Sequence, residues 1–118
     1  MTIELPPIVA RHIDAVNAGD LAAIMRTFSD GAFVNDARRE FRGEDEIRGW
    51  VEREIVGDHV QMDPVEVAMQ HDLLVVRARY DGDYDKTGLP PDLILTNYFM
   101  LRGDVIDALI IVRNEDAR

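Results

Sequence analysis

Cysteine is absent from the 118-residue chain, which excludes a disulfide scaffold, a thiolate metal site and a cysteine nucleophile. Basic residues are scarce, with 13 Lys and Arg against 23 Asp and Glu and a net charge of −10. That balance argues against nucleic acid, whose phosphates need a cationic patch, and against a polybasic membrane contact. Long apolar runs are missing too. The longest, Ala108-Leu109-Ile110-Ile111-Val112, is far too short to cross a bilayer. Met1-Thr2-Ile3-Glu4-Leu5-Pro6-Pro7 lacks the cationic and apolar regions of a secretory signal, so a soluble cytoplasmic protein is expected. Only 5 prolines accompany 47% hydrophobic residues, which is not a disordered composition. The length suits one domain over 1–118, enough to bury about two thirds of the extended chain's surface.

What is present divides into a helical front and a strand-rich back. Pro6-Pro7 opens a helix in which Ile8, Val9, Ile13 and Val16 recur at helical spacing, and Asn17-Ala18-Gly19 ends it. Asp20 reads as the N-cap of a second, short helix with Leu21, Ile24, Met25 and Phe28 on its apolar face. Ser29-Asp30-Gly31 reads as a break, Ala32 to Asp36 as a short strand and Arg42-Gly43 as a loop. A third helix is expected from about Glu44 to Val56, acidic in its first turn, with Ile47, Trp50, Val51 and Ile55 buried.

After Gly57 the period becomes two. Val65, Val67 and Met69 alternate with Glu66, Ala68 and Gln70, and His71-Asp72 reads as a turn. The next strand carries Leu74, Val76, Ala78 and Tyr80 on one face. Residues 81–91 form a polar loop able to border a site. Two further strands flank Gly103-Asp104, a two-residue hairpin signal. A regular hairpin with Arg102 facing Val105 sets Asn97 opposite Ile110. One face then carries Leu93, Leu95, Asn97, Phe99 and Leu101 with Ile106, Ala108, Ile110 and Val112. The other carries Ile94, Thr96, Tyr98 and Met100 with Val105, Asp107, Leu109 and Ile111. Both faces are largely apolar, so one is expected on the helices and the other on a second copy of the chain.

Three polar residues interrupt apolar patterns. His12 lies one helical turn from both Ile8 and Val16, either as a core imidazole bonded to a backbone carbonyl or as a proton donor lining a cavity. Asn97 sits between Leu95 and Phe99 and needs partners, structural or in a pocket. Asp36 ends a short strand before Ala37-Arg38-Arg39-Glu40, and is either a solvated carboxylate paired with an arginine or a site acid. Arg79 and Asp81 share a strand face and form a weaker candidate pair for activating water. His12, His59 and His71 lack zinc-ligand spacing, and no nucleophile elbow, phosphate loop or dinucleotide fingerprint occurs. Neither metal nor cofactor is expected.

The stretch His12 to Leu21, the segment Phe28 to Asp36, and Phe41-Arg42-Gly43 before a helix with Ile47 and Trp50 resemble the nuclear transport factor 2-like superfamily. The nearest branches are the ketosteroid isomerases and the SnoaL-type polyketide cyclases. The resemblance implies an α+β fold, a cone-shaped barrel of three N-terminal helices on a curved, mainly antiparallel sheet, and homodimers. It puts Asp36 at the position of the isomerases' catalytic base. It puts His12 and Asn97 at the positions of their two oxyanion donors, a tyrosine and an aspartic acid, so both donors are replaced. Pocket walls are expected from Val16, Phe33, Trp50, Leu95 and Phe99. The activity so implied is proton abstraction from a small, mostly apolar carbonyl compound by Asp36, with the enolate stabilised by His12 and Asn97. The alternative is a non-catalytic small-ligand-binding or dimerising module.

Overall fold

The computed structural model describes residues 4–71 and 73–113. Pro7 starts helix α1 (Pro7–Ala18), which Gly19 ends in the left-handed conformation, its N–H returning to the Ala15 and Val16 carbonyls. Asp20 caps α2 (Leu21–Arg26) by accepting the Ala23 N–H at 3.0 Å. The expected third helix is split. An α-helical part, α3 (Gly43–Trp50), is followed by a wider π-helical turn over Val51–Val56.

Six strands follow the sheet order β2-β1-β6-β5-β4-β3. They are β1 (Phe28–Asp36), β2 (Arg39–Arg42), β3 (Gln61–Gln70), β4 (Leu73–Asp81), β5 (Ile94–Arg102) and β6 (Val105–Arg113). All pairs are antiparallel except β1 with β6. This is the α+β architecture expected, three helices on a curved sheet with the cone shape of the nuclear transport factor 2-like fold.

Three local readings are corrected. Ser29-Asp30-Gly31 does not end an element: β1 runs through it, with an irregularity between Phe28 and Phe33. The charged stretch after Asp36 is a hairpin, because Ala37 and Arg38 both take positive φ (55° and 71°), the geometry of a tight hairpin turn. The β5–β6 hairpin is irregular. Arg102 pairs with Val105 as expected, but Met100 pairs with Ala108 and Leu101 with Ile106, leaving Asp107 as an extra residue. This bulge sets Asn97 opposite Ile111, not Ile110, and exchanges the faces of β6 beyond it. Leu109 and Ile111 therefore join Phe99 and Asn97 on the helix-covered face, while Ile110 and Val112 turn outward. The turn assigned to His71-Asp72 falls partly outside the described residues, since Asp72 is not among them.

The core lies between the helices and the concave face of the sheet, around Val9, Ile13, Ile24, Ile47, Trp50, Val76, Phe99 and Leu109. Pro64 is tolerated within β3 because β3 is an edge strand.

Candidate active site

One row of the concave face reads Asp36, Ile111, Asn97, Val76 from β1 through β6 and β5 to β4. Asp36 and Asn97 are thus two strand spacings apart, about 10 Å between backbones, with Ile111 between them.

Asp36 is held on one oxygen. Its Oδ2 accepts the Trp50 indole N–H at 3.0 Å and an Arg39 N–H at 3.1 Å. Arg39 itself forks onto Glu54, at 2.7 and 2.8 Å. The tight turn after Asp36 brings Arg39 back beside it, and the last turn of α3 presents Trp50. Asp36 Oδ1 takes no hydrogen bond from any described residue.

Beside Asp36 lies a cavity of about 350 Å³, walled by Ile55, Val60, Tyr80, Tyr84, Leu89, Leu93, Leu95 and Ile111, with Glu54, Asp58 and Arg113 among its polar residues. The loop expected to border a site supplies Tyr84 and Leu89. A much smaller inner void, about 10 Å³, is lined by His12, Val16, Trp50, Met62, Tyr80 and Asn97 among others. Ile55, Val60, Tyr80 and Ile111 line both spaces.

The inner groups are saturated with their own bonds, with one exception. Tyr80 donates its hydroxyl to Asn97 Oδ1 at 2.8 Å. Burial raises the Tyr80 phenol well above its usual range, so it stays protonated. Asn97, 1% exposed, directs Nδ2 to the Val76 and Leu95 carbonyls over long distances of 3.4 and 3.5 Å. His12 Nδ1 lies 3.0 Å from the Thr27 hydroxyl, which donates its single proton to the Ile24 carbonyl at 2.6 Å. Thr27 must then accept from His12, so Nδ1 carries the proton and Nε2 is the bare nitrogen. Burial lowers the His12 pKa to about 4, and the ring is neutral at pH 7. Its N–H is directed at Thr27, neither at a backbone carbonyl nor into the void.

The structure therefore distributes the expected site residues over two neighbouring spaces that share part of their walls. Asp36 and Leu95 line the outer cavity, whereas His12, Asn97, Val16 and Trp50 line the inner void. Phe99 packs edge-on against His12 at 5.8 Å. Phe33 stands apart on the other face of β1, under the Arg42 guanidinium at 4.5 Å. Arg79 and Asp81 do not pair: Arg79 bonds Asp92 and Asp81 bonds Lys86. Sequence reasoning missed Tyr80, Arg39, Glu54 and Thr27 as site residues. Tyr80 was visible on an inward strand face and Arg39 as an arginine near Asp36, but nothing in the sequence ties Thr27 to a residue fifteen positions earlier. Among the described residues, no group of three or more His, Asp or Glu is placed to hold a metal ion. No helix among them is long and apolar enough to cross a membrane.

Comparison with protein-family models matches residues 9–108 to the SnoaL-like domain. Curated proteins yield no match. Among solved structures, a candidate polyketide cyclase from Sinorhizobium meliloti is 27% identical, with TM-score 0.80 over 91% of this chain and 94% of that one. A protein of ketosteroid isomerase-like fold from Catenulispora acidiphila, solved with trimethylamine, is 19% identical, with TM-score 0.78 over 94% and 88%. The epoxide hydrolase/cyclase-like enzyme SalBIII, of pyran ring formation in the polyether salinomycin, is 21% identical, with TM-score 0.74 over 91% and 88%. These last two likenesses are of fold alone.

Proposed function

Since the chain belongs to the SnoaL-like domain family, we propose that it is a cofactor-independent enzyme acting on a small, mostly apolar carbonyl compound by proton abstraction. The reaction is of the isomerase, cyclase or dehydratase type. The observation that carries this reading is the half-held carboxylate of Asp36 at the wall of an apolar cavity. Trp50 and Arg39 fix Oδ2, which orients the group, and Oδ1 is left to take a proton from the carbon next to the carbonyl. A cavity of about 350 Å³ accommodates a small ligand.

The developing enolate oxygen needs a donor, and Asn97 supplies it. Its Nδ2 makes only long bonds, so turning one N–H toward a ligand sacrifices little. Tyr80, released from Asn97 Oδ1 by that turn, adds its own hydroxyl. His12 can donate only by giving up Thr27 or by gaining a proton, so its share of the enolate charge is the smaller. The same reading pairs the chain with a second copy through the outer face of the sheet, where Met100 and Val112 are exposed.

The test is deuterium exchange next to the carbonyl, followed by NMR for a panel of small ketones. Asp36→Asn is expected to lose at least about 10²-fold, the lower range for a positioned base. Near-full exchange in that variant would sink the reading. The Tyr80–Asn97 bond favours a second one, a small-ligand-binding module, because it closes the deep polar groups off from Asp36. Ligand binding with no exchange in wild type would support that module.

A further inference from the structure

A second hollow, of about 110 Å³, adjoins the outer cavity. Its wall includes Asp81 and Lys86, and it shares Tyr80, Tyr84, Leu89 and Leu93 with the cavity. Two of these four are fixed to the sheet. Tyr80 stands on β4 with its hydroxyl bonded to Asn97, and its N–H donates to the Leu93 carbonyl at 2.9 Å. Tyr84 and Leu89 come instead from the loop between β4 and β5, and both are half-buried.

No hydrogen bond to a described residue holds the Tyr84 hydroxyl. The ring is placed by what it touches. A Cβ on Gly82 would come within 3.0 and 3.1 Å of ring atoms Cε2 and Cδ2, and within 2.9 Å of the Asp58 carbonyl oxygen. The bare backbone of Gly82 thus leaves the ring its room. On the ring lies the Lys86 ammonium, 5.7 Å from its centroid and paired with Asp81 at 2.9 Å. The loop itself is tied down next to Tyr84 by the Asp83 N–H, which donates to the Asp58 carbonyl at 2.7 Å. A phenylalanine would therefore fill the same place, and a smaller side chain would vacate it without freeing the backbone.

We propose that Tyr84 determines specificity by size: its ring closes the cavity at the loop and limits the substrate to a compact carbonyl compound of about two fused rings. The inference rests on the reading that the cavity beside Asp36 is the substrate site. Asp36 reaches that cavity from β1, and Tyr84 from the loop joining β4 to β5, with β6 between them in the sheet order. A ligand whose reacting carbon meets Asp36 is bounded at its other end by Tyr84. Removing the ring joins the cavity to the smaller hollow and lengthens the space.

The probes are 2-acetylnaphthalene and 2-acetylanthracene, methyl ketones that differ by one fused ring. Binding of each is measured by ligand fluorescence for wild type, Tyr84→Ala, Tyr84→Leu and Tyr84→Phe. Wild type and Tyr84→Phe should favour the two-ring ketone by at least about 10-fold, because a ring that does not fit must displace the wall. Tyr84→Ala should tighten the three-ring ketone by at least about 10-fold, and Tyr84→Leu should shift it the same way by less. An unchanged preference in Tyr84→Ala, equal binding of both ketones by wild type, or a Tyr84→Phe that behaves like Tyr84→Ala would overturn the proposal. So would loss of both ketones in both truncations, which would make the ring part of the fold. The size order is read from binding alone, whereas the catalytic reading is tested by exchange in Asp36→Asn. Failure of one is therefore distinguishable from failure of the other.

Discussion

His12 sits where a titrating imidazole has no charged neighbour, between the rings of Phe28 and Phe99 and against the Thr27 hydroxyl. Burial alone lowers it from an ordinary 6.5 to about 4. The unfolded chain therefore binds a proton that the native chain refuses, and the sign follows. His12's contribution to stability is full above about pH 6.5 and is lost as pH falls toward 4, roughly 3 kcal/mol across that window. Urea unfolding at pH 7 and pH 4.5 should show a steeper loss for wild type than for His12→Gln, whose amide can still donate to Thr27. Equal losses would mean that the imidazole is not buried neutral. At Asp36 the decisive neighbours are Trp50 and Arg39, because two N–H groups on one oxygen turn a flexible carboxylate into an aimed one.

Among the elements, the π-helical turn over Val51–Val56 shapes the cavity. It follows α3 directly and sets Glu54 on Arg39 while pointing Ile55 into the wall shared by both spaces. Gly57 closes the turn by donating its N–H to Glu52 at 3.0 Å. A Cβ at Gly57 would press into the Arg53 carbonyl and lie 3.0 Å from that of Glu52, both backbone atoms with little room to give. Gly57→Ala should therefore cost about 1–3 kcal/mol, measured by urea unfolding, and loosen the Glu54–Arg39–Asp36 chain. An unchanged midpoint would show that the turn relaxes freely. The bulge at Asp107 acts at the same scale. Ser29 and Arg102 both donate to its carboxylate, at 2.8 and 3.2 Å, tying β1 and β5 to the irregularity. One extra residue there decides which face of an apolar strand lines the two cavities.

For the whole molecule, the outer face of the sheet remains apolar. Met100 is 52% and Val112 41% exposed, beside half-buried Tyr98 and Ile110. Pairing with a second copy through this face predicts twice the chain mass by light scattering at micromolar concentration, and a monomer for Met100→Asp. A wild-type monomer would count against the pairing. The acidic balance of the whole chain, −10, is consistent with a neutral rather than an anionic ligand reaching a cavity whose polar residues include Asp36, Glu54 and Asp58.

By itself the sequence determined the element order, the helix caps at Asp20 and Gly19, the inward faces of α1 and β4, and the conspicuous positions of His12, Asp36 and Asn97. Those features follow from local periodicity and capping chemistry, which neighbours along the chain dictate. The tertiary structure alone decided which face of β6 turns inward, since a bulge depends on partners across the sheet. It alone paired Asp36 with Trp50 and Arg39, and it alone removed Phe33 from the cavity. It also fixed the proton on His12 Nδ1, because that assignment depends on a hydroxyl brought into contact by folding and on the carbonyl that takes the hydroxyl's only proton.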